Sequence, residues 1–175
     1  MTSSHCTDRD TTTLAVRAGQ ALLSAGLKVV TAESCTGGGL AAALTDVSGS
    51  SQWFERGYVT YSNAAKLQDL GVEPATLERL GAVSAAIVEQ MAAGALRASG
   101  ADVAVAVSGI AGPDGGTADK PVGLVFLAVA RRGGAVHVLR EQFPGDRAAV
   151  RRAAVAAALR LIAQAATTAT FGARS

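Results

Sequence analysis

The chain has 175 residues, which fits one domain, and 49% of them are apolar, enough for a buried core. Aromatics at 4% argue against a stacking platform for single-stranded nucleic acid, and a net charge of +2 does not announce a nucleic-acid partner. The opening MTSSHCTDRDTTT lacks the apolar centre of a signal peptide, and no apolar run nears the roughly 20 residues of a membrane helix, so a cytoplasmic protein is expected.

In chain order, residues 1–10 read as a disordered tail, 11–166 as a single domain and 167–175 as a frayed C-terminus. One of Thr11, Thr12 and Thr13 caps a helix with Leu14, Ala18, Ala21 and Leu22 on one face, and Gly26 closes it. LKVVTAE is a short strand, and SCTGGGLAAALTD a glycine-rich turn that enters a helix. SQWFERGYVTY is strand-like. SNAAKLQDLG is a short helix capped by Ser62 or Asn63 and ended by Gly71. Ser84 caps a longer helix, SAAIVEQMAAGALRASG. ADVAVAVSGIAG is almost wholly apolar, as in a strand covered on both faces. The loop PDGGTADKP leads to VGLVFLAVA and AVHVLREQF, two strands joined through Arg131–Gly134 as a hairpin. Asp146 starts a last long helix, on which the late arginines read as a solvated face. Strands alternating with helices predict a three-layer α/β/α sandwich, with a mixed sheet because of the hairpin.

Exclusions narrow the chemistry. The two histidines are His5, in the tail, and His137, which alternates with valines in a strand, so a Ser-His-Asp or Cys-His mechanism lacks its base. No C-x-x-C, metal-spaced histidine cluster, phosphate-binding G-x-x-x-x-G-K or G-x-G-x-x-G is present, so neither metal nor cofactor is expected. Cys6 and Cys35 make no disulfide framework.

TAESCTGGG remains, with Ser34 where a strand hands over to a helix. Helix-start N–H groups there suit an oxyanion or a phosphate, and the glycines admit a substrate close to the backbone. A plain cap at Ser34 or Thr36 fits the spacing equally well. A serine without a histidine needs another base, and the lysines are Lys28, Lys66 and Lys120. Lys28 lies at the wrong end of its strand, and Lys120 lies in a loop. Lys66, near the start of its helix, is placed where the dipole and burial favour the free amine, although a lone helix lysine reads first as a solvated one. Tyr61 could relay the proton or orient that amine. Glu33 is either a group behind the site or a strand-end acid, and the sequence does not choose.

TAESCTGGGLAAALTDVSGSSQWFERGYVTYSNAAKLQDLGV, VAVSGIAGPDGGTADKPVGLVFLAV and FPGDRAAVR together resemble the CinA C-terminal domain, the nicotinamide-nucleotide amidohydrolase family, over roughly residues 11–166. The resemblance implies a sandwich on a mixed, about five-stranded sheet. It also implies hydrolysis of the carboxamide of nicotinamide mononucleotide to nicotinic acid mononucleotide and ammonia, with Ser34 as nucleophile, Lys66 as base and Tyr61 assisting. Thr36, Gly37 and Gly38 are expected at the oxyanion, and Ser108, Gly109 and Arg147 at the phosphate. The expected partner is a small nucleotide, not nucleic acid or a membrane, and a homo-oligomer is left open. The alternatives are a catalytically silent nucleotide-binding or regulatory protein on the same scaffold, and hydrolysis of a different amide.

Overall fold

The computed structural model describes residues 4–168. The first helix, α1 (Ser4–Ala25), starts well before the expected cap at Thr11–Thr13, so residues 4–10 are helical and not a tail. No glycine or proline precedes Gly19, and nothing in the sequence stops the helix from extending back. Residues 1–3 of that expected tail, and 169–175 of the expected frayed end, lie outside the described residues.

After Gly26, whose φ of 66° suits a glycine helix stop, the chain runs through β1 (Val29–Glu33), α2 (Gly39–Thr45), a single 3-10 turn (Ser50–Gln52) and β2 (Phe54–Val59). Then come α3 (Asn63–Leu70), α4 (Pro74–Leu80), α5 (Ala85–Arg97), β3 (Val103–Gly109), β4 (Leu124–Arg131), β5 (Val136–Gln142) and α6 (Arg147–Thr167). The short α4, with Pro74 in its first turn, was not anticipated from the sequence. Among the described residues no helix is long and apolar enough to cross a membrane.

The five strands form one sheet in the order β2-β1-β3-β4-β5. β2, β1 and β3 run parallel, and β4 and β5 return antiparallel as the expected hairpin. The alternation in β3 divides the core. Val103, Val105 and Val107 face α1, α2 and α6, whereas Ala104 and Ala106 face α5. The alanine face lets its helix layer approach closely. Within that layer α5 also crosses the end of α3 so tightly that a side chain on Gly94 would strike the Leu70 carbonyl. Both faces are covered, which makes the molecule a three-layer sandwich.

The parallel register aligns the strand ends. Glu33 stands opposite Val59 on one side and Val107 on the other. Ser34 and Thr60–Tyr61 therefore leave the sheet together, beside Ser108–Gly109 at the end of β3. This carboxyl edge is where open α/β sheets bind ligands.

Candidate active site

Ser34 follows the last residue of a fully buried strand. Its N–H donates to the Val107 carbonyl at 2.9 Å, and its own carbonyl accepts from Gly37 N–H at 3.0 Å. Gly37 and Gly38, at φ of 58° and 90°, then bend the chain through left-handed conformations that other residues adopt only under strain. The result is a stiff turn with Ser34 in the wall of a cleft.

Lys66 reaches that cleft from α3. The Ser62 hydroxyl caps this helix by accepting from Ala65 N–H at 3.1 Å. Lys66 is only 1% exposed. Its Nζ lies 3.0 Å from Ser34 Oγ, 2.8 Å from the Thr60 carbonyl and 3.2 Å from the Tyr61 carbonyl. No carboxylate pairs with it among the described residues, and burial lowers its pKa below the ordinary lysine range. Of the other lysines, Lys28 pairs with Glu55 at 3.7 Å, and Lys120 donates to the Leu80 carbonyl at the end of α4.

The cleft has a volume of about 260 Å³, and Ser34, Cys35, Tyr61, Lys66, Ser108 and Arg147 line it with the loop from Gly109 to Gly115. The Tyr61 hydroxyl, on a side chain 58% exposed, accepts from Arg147 Nη2 at 3.1 Å. Arg147 Nη1 donates to the Gly112 carbonyl at 2.8 Å, so the guanidinium spans the rim. Tyr61 thus touches the Lys66 amine with its main chain and Arg147 with its phenol. Ser108 is buried, and its hydroxyl donates to the Ala82 carbonyl at 2.8 Å. Gly109 is a packing glycine, since a side chain there would run into Leu124 and Val125 of β4.

Thr36, Gly37 and Gly38 are not among the residues that line this cleft. Thr36 lines a second cleft of about 390 Å³ between α1, α2 and α6, together with Arg151 and Arg152. Its carbonyl accepts from Arg151 Nη2 at 3.0 Å. The first-turn amides of α2 are taken as well: Gly39 N–H bonds to Thr36 O, and Leu40 and Ala41 N–H bond to the Glu33 carboxylate. The Cys35 N–H, beside Ser34, takes no other residue as partner among those described. Burial, aided by the nearby Glu33 carboxylate, pushes the Cys35 thiol up to about 11, so it stays protonated at neutral pH.

Sequence reasoning missed the Ala82–Val83 segment as part of the cleft, whereas Gly112 and Asp114 belong to SGIAGPDGG, which reads from the sequence as a ligand-binding loop. The two apolar residues carry no chemical signal at all. It also read Arg151 as a solvated helix residue, whereas its guanidinium reaches across to Thr36.

Residues 11–166 match the CinA C-terminal domain. A nicotinamide-nucleotide amidohydrolase PncC from Escherichia coli K12 is 55% identical over 158 residues, which is 90% of this chain and 96% of that protein. Its counterpart from Enterobacter agglomerans is 59% identical over 138 residues, covering 79% and 84%. The crystal structure of the competence/damage inducible protein CihA from Agrobacterium tumefaciens superposes with a TM-score of 0.88 at 48% identity, over 91% of this chain and 96% of that one.

Proposed function

The chain belongs to the CinA C-terminal domain family and is an amidohydrolase, and from that premise we propose that it releases ammonia from the carboxamide of nicotinamide mononucleotide by Ser34/Lys66 catalysis. The observation that carries the reading is the buried Lys66 amine 3.0 Å from Ser34 Oγ. As a free amine, Lys66 donates its two hydrogens to the Thr60 and Tyr61 carbonyls, which turns its lone pair toward the serine proton.

Ser34 Oγ attacks the carboxamide carbon as its proton passes to Lys66. The tetrahedral oxyanion is received by the Cys35 N–H, because the α2 amides are occupied by Glu33. The resulting ammonium of Lys66 protonates the departing nitrogen, ammonia leaves, and an acyl-Ser34 ester remains. Water, deprotonated by Lys66, attacks that ester. The proton returns to Ser34 Oγ, and the nicotinate carboxylate is released.

Arg147 at the rim is the group that reads the phosphate, with the loop from Ala111 to Gly115 beside it. Ser108 contributes wall shape, since its proton is committed to Ala82. A phosphorylated substrate does not cross membranes unaided, so the reading keeps enzyme and substrate in one compartment, for which we propose the cytoplasm. The test is ammonia release from nicotinamide mononucleotide. Ser34→Ala is expected to lower turnover by about 10³-fold or more while keeping the fold. Near-parental activity in that variant would leave Ser34 as a turn residue only.

A further inference from the structure

The glycine-rich turn and the start of α2 have the makings of an anion cradle: left-handed glycines, then helix N–H groups aimed outward. The cradle is already filled from inside the protein. Glu33 is fully buried and does not line the catalytic cleft, yet its side chain has more partners than any other carboxylate in the neighbourhood. Oε2 accepts from Leu40 N–H at 2.9 Å, and Oε1 accepts from Ala41 N–H at 2.8 Å and from the Thr31 hydroxyl at 3.4 Å. The main chain of the same residue reaches the other half of the site. Its carbonyl accepts from Thr60 N–H at 2.9 Å, and the Thr60 carbonyl in turn holds the Lys66 amine at 2.8 Å.

We propose that Glu33 is a positioning residue for the nucleophile, an internal anion at the α2 N-terminus that sets where Ser34 stands relative to Lys66. Ser34 occupies the span between two anchors: the β1 ladder before it, and the α2 turn after it. The carboxylate joins those anchors across residues 34–39. Without it, two helix-start N–H groups lose their acceptor, and the far end of the turn keeps Gly39 N–H and Arg151 on Thr36 O and Ala42 N–H on Gly38 O, none of which ties it back to β1. The carboxylate touches neither the amine nor the cleft, so it acts through placement and not through proton transfer. Gln does not replace it, because one oxygen becomes an NH₂ group that faces an amide N–H.

This inference rests on the proposed role of Ser34. Glu33→Gln is expected to lower kcat about 30- to 100-fold, the cost of misplacing a reacting group by about an ångström, with KM for nicotinamide mononucleotide within about threefold. The rate at which a fluorophosphonate labels Ser34 should fall by a similar factor. Leu44→Ala, which opens the core under the same helix, serves as a comparison at matched loss of melting temperature and should lose less than about threefold in kcat. If Glu33→Gln does not fold, Thr31→Val decides: it removes one bond to the carboxylate and should lower kcat about threefold with KM unchanged. Parental kcat and labelling rate in a folded Glu33→Gln, equal losses in Leu44→Ala, or parental kcat in Thr31→Val would each overturn the proposal. Inactive Ser34→Ala beside fully active Glu33→Gln removes this inference alone, whereas active Ser34→Ala removes the reading beneath it.

Discussion

The two ends of the catalytic cleft are built differently. At the inner end Ser34 and Lys66 are buried and held by main-chain atoms: the Val107, Thr60 and Tyr61 carbonyls and the Gly37 amide. At the rim Arg147 is held by one loop carbonyl and one exposed phenol. Main-chain contacts inside a sandwich resist displacement and exclude water, which is what proton transfer between a serine and a lysine requires. The rim contacts are cheap to exchange, so an incoming phosphate can compete for the guanidinium. On the proposed reading, the difference teaches that reactivity is fixed by the sheet edge, and that recognition is left to side chains that can regroup.

The inner end should break hardest. Lys66→Arg keeps a long basic side chain but cannot give up its proton, so kcat/KM is expected to drop by about 10²- to 10⁴-fold on any amide substrate. Refolding yield and melting temperature in the same variant separate this loss from unfolding. In the parent enzyme the pH profile carries the matching signature. A base works only unprotonated, so kcat/KM should rise with pH and level off above the pKa of Lys66. Burial lowers that pKa, so the plateau should begin below the ordinary lysine range. A profile flat throughout, with chemistry limiting, argues against a titrating lysine.

The rim should break selectively. Arg147→Ala removes a charged donor from the proposed phosphate, a loss of about 2 kcal/mol or roughly 30-fold in kcat/KM for nicotinamide mononucleotide. Nicotinamide riboside, which lacks the phosphate, should lose less than about threefold, because Arg147 touches neither Ser34 nor Lys66. Equal losses on both substrates would mean that Arg147 shapes the cleft without reading a phosphate.

How much of this was legible follows from where each signal lives. Most of the element order and the Ser34, Tyr61 and Lys66 set lie in contiguous motifs, and the almost wholly apolar run of β3 announced a strand covered on both faces. The burial of Lys66 was not legible from α3 itself, because it depends on the long-range folding that brings its side chain to Ser34. The direction of α2 was hidden for the same reason. The sequence placed a helix start after the glycine turn but could not show that Glu33, seven residues before Leu40, folds under its amides and takes them. Thr36 and Gly38 therefore looked like cleft residues, although the turn presents Thr36 toward α6. At α1 the local threonines suggested a cap, whereas the helix continues to Ser4.

Tyr61 joins the two ends, and its smallest change is the most informative. Its carbonyl belongs to the inner end and survives any side-chain substitution, while its hydroxyl belongs to the rim. Tyr61→Phe removes one half-exposed hydrogen bond from a guanidinium still held by the Gly112 carbonyl, a change of about 1 kcal/mol. KM for nicotinamide mononucleotide should then rise by about two- to fivefold, with kcat and the pH profile unchanged and the riboside unaffected. A phenol that relays the serine proton gives a different pattern, because kcat on both substrates would fall by about 10²-fold or more. Measuring kcat and KM on the two substrates therefore decides whether the phenol serves the chemistry or the arginine, and the 3.1 Å contact with Arg147 favours the arginine.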